Sequence, residues 1–346
     1  MKKKILVTGG LGFIGSHTVV ELQNEGFEVV IIDNCSNSST EVLDGIVAIT
    51  GKRPQLEQFD LRDKAQVQAF FENNQEVSGV IHFAASKAVG ESVENPLLYY
   101  ENNLGVLVYL LQELVKKGNA HFIFSSSCTV YGQADQMPIT EDAPVKPAES
   151  PYGNTKQVGE EIIRDVCKVT PQLAAIALRY FNPIGAHPST EIGELPLGVP
   201  QNLVPFITQT GAGIREQLSV FGDDYPTADG TCIRDYIHVV DLAKAHVAAL
   251  QRLIDEKNDA NFEVFNLGTG TGSSVLEVIE SFERVSREKL NYKIAQRRPG
   301  DVIQAYADTK KANEVLGWKA GSTLDDAIKS AWDWEQKIRK LEKTSV

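Results

Sequence analysis

Along the first half of the chain, short β-branched apolar runs alternate with longer stretches in which apolar residues recur every three or four positions. The runs predict strands at Lys4–Thr8, Glu28–Asp33, Leu56–Asp60, Gly79–Ala84, His121–Ser126 and Ala174–Tyr180. The longer stretches predict helices, among them Ile14–Glu25, Lys64–Asn73, Leu97–Lys117 and Pro151–Val169. This alternation yields a parallel sheet covered on both faces, so the expected fold class is α/β, a Rossmann-type doubly wound sheet.

After about Phe181 the texture changes. Pro, Gly and Asn become common between Pro183 and Pro205, and later helical patterns appear at Val240–Glu256, Ser274–Arg287 and Thr323–Lys340. The expectation is a nucleotide-binding domain over 1–180 and a smaller α/β domain over 181–346, with a soft boundary across which segments interleave.

Composition narrows the picture only in places. A formal net charge of -12 over 346 residues argues against a general nucleic-acid binder, which needs a basic face. It leaves an anionic small molecule open, because a few Arg residues and a helix N-terminus set the local field. Cys35, Cys128, Cys167 and Cys232 are far apart with no C-x-x-C pair, and read as reduced thiols of a cytosolic protein. The histidines show no metal spacing, so no metal is assigned. The basic start Met1-Lys2-Lys3-Lys4 leads into an apolar run that stops at Thr8, too short for a secretory signal. No apolar stretch is long enough to span a bilayer, and a cytoplasmic location without membrane contact is expected.

Gly9, Gly12 and Gly15 directly follow the first predicted strand and open the first helix. Missing Cβ atoms there permit a tight turn and a close backbone approach to a pyrophosphate at the helix N-terminus. Asp33 ends the second strand 18 positions after Gly15, where a carboxylate accepts ribose hydroxyls and repels a 2′-phosphate. The expected cofactor is therefore NAD. Asp60, at the end of the third strand, is read either as an acceptor for the adenine amino group or as a cap for the helix near Lys64.

Ser150-Pro151-Tyr152-Gly153-Asn154-Thr155-Lys156 carries the chemistry. Ser150 suits an N-cap and Pro151 the first helical position, which places Tyr152 and Lys156 one turn apart on one face. An ammonium beside a phenol stabilises phenolate and makes a usable base of it. Ser127, 25 residues before Tyr152 and just past the fifth strand, sits where open α/β sheets bind substrate and can orient a reacting oxygen.

The glycine loop, Asp33 and the Ser127/Tyr152/Lys156 set resemble the extended short-chain dehydrogenase/reductase superfamily. Longer strings are more specific: HFAASKAVGES from His82, FSSSCTVYG from Phe124, RYFNPIGAHPS from Arg179 and RDYIHVVDLA from Arg234. They resemble the UDP-glucose 4-epimerase family, and the similarity runs from Lys4 to about Trp334. That resemblance implies reversible C4 epimerisation of a UDP-hexose through a 4-keto sugar with tightly bound NAD. It implies that Phe13, Ile14, Asp33, Asn34, Cys35, Ser36, Asn37, Ser38, Asp60, Leu61, Phe83, Ala84, Ala85, Ser86, Lys87, Asn102 and Phe181 line NAD, with Tyr152 and Lys156. It further implies that Asn182, Asn202, Arg234, Arg298 and Asp301 grip the UDP moiety beside Ser127 and Tyr152. On spacing alone, Arg234-Asp235 would be a surface ion pair and Arg297-Arg298 a solvated basic patch.

Related 4,6-dehydratases carry an Asp-Glu pair where this chain has Cys128 and Thr129, which disfavours dehydration. A decarboxylase or uronate epimerase, a dehydrogenase with net turnover, and a non-catalytic NAD-sensing protein are the other readings. Alanine at position 305, four residues after Asp301, resembles members that also accept N-acetylated hexoses. The family resemblance also implies a homodimer, through Leu97–Lys117 and Pro151–Val169. Trp332 and Trp334 are expected to dock the last helix.

Overall fold

The computed structural model describes residues 3–118, 120–298 and 301–344; the Met1-Lys2 start of the basic run lies outside them. Seven parallel strands form the central sheet: β1 (Lys4–Thr8), β2 (Glu28–Ile32), β3 (Gln55–Glu57), β4 (Val77–His82), β5 (Ala120–Ser125), β6 (Leu173–Tyr180) and β7 (Phe262–Leu267). Their spatial order is β7-β6-β5-β4-β1-β2-β3, so the winding direction reverses between β1 and β4. A crevice opens at such a reversal, beyond the carboxyl ends of the strands.

The uninterrupted apolar runs are explained by burial on both faces. Ile5, Val7, Ile31, Ile81 and Ile123 pack on one side against α1 (Phe13–Asn24) and the helix Val239–Ile254. Leu6, Val30, Val80 and Phe122 point the other way, toward α2 (Val106–Lys117). Period-two alternation along each strand divides them in this way.

The predicted helix over Leu97–Lys117 is broken. Pro96–Tyr99 is followed by one wide π-helical turn at Tyr100–Gly105, and only then by α2. The extra residue in the turn lets Asn102 and Asn103 both reach the loop after β4, where they bond Ser86. The third strand is shorter than expected because its ladder to β2 ends at Ile32↔Glu57; the chain then turns at Asp60, whose carbonyl accepts from Asp63 N at 2.9 Å.

The chain also re-enters the first layer late. Val239–Ile254 packs against α1, and β7 pairs with β6 in register Val264↔Ala177. The rest of the second half forms small sheets: Asn182–Ile184 with Tyr236–His238, Leu218–Phe221 with Tyr292–Ala295, and Ile233–Arg234 between Gln304–Ala305 and Ser273–Ser274. These surround a core of Ile184, Val204, Ile207, Phe282 and Ile328. Trp332 meets Phe282 edge-on at 5.2 Å, and Trp334 donates to Glu194 O at 2.9 Å, so both dock the terminal helix Leu324–Thr344. Among the described residues no helix is long and apolar enough to cross a membrane.

Candidate active site

The glycine turn lies at the carboxyl end of β1, beside the reversal. Gly9 has φ +68°, and a Cβ there would stand 2.8 Å from Ala84 N. A Cβ on Gly15 would stand 2.2 Å from Gly9 O, so the first turn of α1 sits directly on the loop. Gly12 caps α1 with extended backbone and no side-chain acceptor. The positive end of the helix is thus presented at the crevice with bare backbone around it, a cradle that suits a pyrophosphate.

Asp33 locks this cradle to the next loop. One carboxylate oxygen accepts from Leu11 N at 3.0 Å, and the other from Cys35 N and Ser38 Oγ, both at 2.9 Å. Asn34, Ser36 and Asn37 are exposed beside it, and Asn34 donates to Asp60 at 3.0 Å. Asp60 is gripped by Arg62, which holds its carboxyl well below the usual range. The helix cap proves to be Asp63, which accepts from Ala65 N and Gln66 N; this closes the capping alternative for Asp60. Leu61 is buried next to it. From the far side of the crevice, Phe83 N bonds Thr8 O, and the Ala84–Lys87 loop is held by Asn102 Nδ2 on Ser86 Oγ at 3.0 Å. Ala85 lies half-buried in that loop. The donor set and the open backbone fit a dinucleotide.

The helix α3 (Pro151–Val169) begins as its sequence dictates, with Ser150 Oγ accepting from Gly153 N at 3.1 Å and Pro151 in the first turn. It carries Tyr152 and Lys156 into the end of β5. Lys156 Nζ donates to Ser125 O at 2.7 Å and lies 5.0 Å from the Phe124 ring centroid and 5.8 Å from that of Tyr152. Burial lowers the Lys156 ammonium to about 8, against the pull of Glu160. Burial pushes the Tyr152 phenol far up, Tyr180 adds to this, and the adjacent Ser127 hydroxyl acts in the opposite sense. Ser127 itself is buried and accepts from Thr129 N at 3.2 Å. The structure therefore brings Ser127, Tyr152 and Lys156 together at the carboxyl edge of β5.

The second half of the chain closes over them. Phe181 and, packed with it, Cys128 and Ala305 share one apolar cluster with Val130, Tyr131, Ile139 and Ala307. Ala305 pairs in register with Arg234. Arg234 and Asp235 do not form the surface ion pair that spacing suggests. Asp235 is fully buried and accepts from Thr269 N, Gly270 N and Ala307 N, while Arg234 Nη1 donates to Ile233 O at 2.9 Å. Nor are Arg297 and Arg298 a bare basic patch. Arg297 pairs with Asp224 at 2.6 Å, and Arg298 with Asp301 at 3.0 Å while lying over Phe221. Asn182 N bonds Asp235 O, and Asn202 Nδ2 donates to Glu194 Oε1 at 2.8 Å.

Several neighbours of the site escape sequence reasoning. Ser125 seats Lys156 through its carbonyl and bonds Tyr180 OH at 2.7 Å through its hydroxyl. Glu160 follows Lys156 by one helical turn and binds Arg179. The signal was present in the i, i+4 spacing, but a carboxylate there reads as solvated until α3 is known to be buried along that face.

Residues 6–331 match a family model described as GDP-mannose 4,6 dehydratase. Curated relatives are narrower. UDP-glucose 4-epimerase of Bacillus subtilis is 51% identical over 331 residues, covering 96% of each chain. That of Pasteurella multocida is 49% identical, covering 97% of this chain and 98% of its own. Among solved structures, UDP-glucose-4-epimerase from Stenotrophomonas maltophila with bound NAD and formylated UDP-arabinopyranose superposes with TM-score 0.94 at 44% identity, covering 98% and 99%. The Bifidobacterium longum enzyme in complex with NAD+ and UDP gives 0.90 at 47%, covering 96% and 98%. The cradle, the Ser127/Tyr152/Lys156 cluster and full-length similarity agree: the chain belongs to the UDP-glucose 4-epimerase family of extended short-chain dehydrogenases/reductases.

Proposed function

We propose that this protein interconverts UDP-glucose and UDP-galactose by inverting C4, with NAD resident in the glycine cradle. The observation that carries the reading is the convergence of Ser127, Tyr152 and Lys156 at the strand edge adjoining that cradle. The chemistry NAD supplies when bound is abstraction of hydride from C4 and its return to the opposite face. Tyr152 takes the 4-hydroxyl proton and later gives it back, Ser127 orients the sugar oxygen, and the Lys156 ammonium favours phenolate. In the substrate-free protein, burial keeps the phenol protonated. A base therefore forms only when positive charge joins it in the closed site.

Residues 1–180 together with 239–267 form the cofactor-binding lobe in this reading, and the remaining segments hold the UDP-sugar. Gly9, Gly12, Phe13, Ile14 and Gly15 receive the pyrophosphate, Asp33 the ribose, and Phe83–Lys87, Asn102 and Phe181 the nicotinamide half. Arg234 and Arg298 pair with the diphosphate, while the Asn182 and Asn202 amides bond phosphate or uracil and Asp301 accepts from the ribose hydroxyls. A firm grip on UDP with few contacts to the hexose lets the keto sugar present its other face. Dehydration finds no support: Cys128 is a neutral thiol, raised to about 11 by burial, and Thr129 has no carboxyl group.

UDP-galactose mixed with the purified protein, with no NAD added, yields UDP-glucose by NMR if the reading holds. No conversion even after NAD addition refutes it. The half-buried Ala305 favours a second substrate pair, because a methyl group beside Cys128 and Phe181 leaves room for an acetamido group. Ala305→Tyr then loses UDP-N-acetylglucosamine turnover and keeps UDP-glucose turnover; equal loss of both sinks that extension. The protein acts in the cytoplasm and as a homodimer in this reading. Exposed Leu97, in the short helix Pro96–Tyr99, and Val169, at the end of α3, support the dimer, and a monomer mass in sedimentation would refute it.

A further inference from the structure

Lys156 and Glu160 stand one turn apart on α3, 5% and 2% exposed. Glu160 accepts from Arg179 Nε at 2.9 Å, from Arg179 Nη2 at 2.6 Å and from Ser126 Oγ at 2.6 Å. Arg179 Nη1 donates to Tyr131 OH at 2.9 Å, which donates to Asn266 Oδ1 at 2.6 Å. The reaction outlined above uses none of these groups. A buried ion pair is also a poor means of gaining stability, since desolvating two charges rivals their attraction.

Its connections point to the chemistry instead. Ser125, Ser126 and Ser127 are consecutive: the first seats Lys156 through its carbonyl, the second donates to Glu160, and the third lies beside Tyr152. Lys156 has Tyr152 and Glu160 beside it on α3 and His82 on β4; Tyr180 and Cys128 adjoin Tyr152, and Tyr131 adjoins the Arg179 that holds Glu160. His82 is neutral, lowered by burial to about 3, and the thiol and phenols are neutral as well. Glu160 is the anion set against the burial of Lys156.

We propose that the Glu160–Arg179 pair is the positioning device of the Tyr152–Lys156 couple. The Glu160 carboxylate keeps the buried ammonium charged, Arg179 fixes that carboxylate, and Ser126 carries its position to Ser125 and Ser127. Neither member touches substrate or cofactor; both act through Lys156 and the serine run. The proposal rests on the epimerase reading for its consequence in catalysis, but not for the charge state of Lys156.

The test is Glu160→Gln in the holoenzyme, followed by the pH profile of kcat for UDP-galactose and by NMR titration of protein labelled at lysine Cε. The Lys156 resonance is identified by its absence in Lys156→Met. Loss of an adjacent opposite charge moves the alkaline limb and the Lys156 midpoint to lower pH by about one unit, with KM held. Glu160→Asp, which keeps the charge, moves both back toward the parent. Should Glu160→Gln fail to fold with Arg179 left unpaired, the charge-free double variant Glu160→Gln/Arg179→Met carries the test in the same direction with a smaller downward shift, because the guanidinium's opposing charge goes with the carboxylate. A folded variant with the parent's limb and the parent's Lys156 midpoint overturns the proposal. A parent protein with no epimerase activity overturns the functional reading instead, and the Lys156 titration still decides this one.

Discussion

Gly15→Ala is the sharpest test of the cofactor cradle. The added Cβ would stand 2.2 Å from Gly9 O and 2.9 Å from Gly10 Cα, both backbone atoms with no rotamer to move away. Relaxed contact needs about 3.5 Å, so the helix start must lift from the loop by an ångström or more. Overpacking of this kind costs about 1–3 kcal/mol, and the better helix propensity of alanine returns about 1 kcal/mol at most. The cofactor-free protein should melt roughly 2–4 °C lower per kcal/mol of net loss. Cofactor retention should suffer more. A hydrogen bond to a charged phosphate contributes about 1.5–3 kcal/mol, so displacing one weakens NAD binding roughly tenfold or more. The assay is NAD released per chain on denaturation, read by absorbance, beside calorimetry of the stripped protein. Gly90→Ala is the control, since a Cβ there meets nothing within 4 Å. Unchanged NAD content and melting in Gly15→Ala would refute the claim that this contact shapes the cradle.

Further expectations concern charge. Lys156→Met should lower kcat by about 10²–10⁴-fold and still stabilise the substrate-free protein at pH 7, because it removes an ammonium whose burial lowers it to about 8. Denaturant titration at pH 7 and 10 checks this: the parent gains stability across that interval as its folded amine deprotonates first, and the variant does not. Asp33→Asn should release Leu11, Cys35 and Ser38 from a shared carboxylate, reducing NAD content and narrowing the preference for NAD over NADP in binding titrations. His17 and His82 are lowered to about 3 and His246 to about 4, all mainly by burial. Unfolding frees them to take protons below about pH 6.5, so stability should fall with acidification by about 1.4 kcal/mol per pH unit for each histidine, down to about pH 4. Urea unfolding at pH 6.5, 5.5 and 4.5 measures the slope, and a flat profile contradicts their neutral burial.

Much of this was legible in the chain because the relevant signals are local. β1 and α3 fall at the predicted residues since an apolar run before glycine, and Ser-Pro before a periodic stretch, state their own boundaries. The Ser127, Tyr152 and Lys156 cluster follows from one strand end meeting one helix start. What was not legible depends on distant partners. The wide turn at Tyr100–Gly105 exists because Asn102 and Asn103 are needed by Ser86, and helical periodicity carries no mark of that demand. β7 is an isolated six-residue run far along the chain from the other strands of the sheet, and only the open edge of β6 makes it part of that sheet. Asp235 and Glu160 read as surface acids until the backbone amides and the guanidinium that bind them are located in space.

The late return of β7 sets the order in which the protein can come into being on the ribosome. β6 ends at Tyr180 and its outer neighbour begins at Phe262, so the sheet stays one strand short while the intervening chain is synthesised. At about 5–20 residues per second that interval lasts on the order of 4–16 s. Throughout it, the β6 edge is an unpaired template in a nascent chain, open to any extended segment nearby. Val239–Ile254, which covers α1 and the sheet face, emerges in the same window. Nascent-chain quality control therefore has one interval in which to act, and a truncation ending near residue 180 would make that exposed edge permanent.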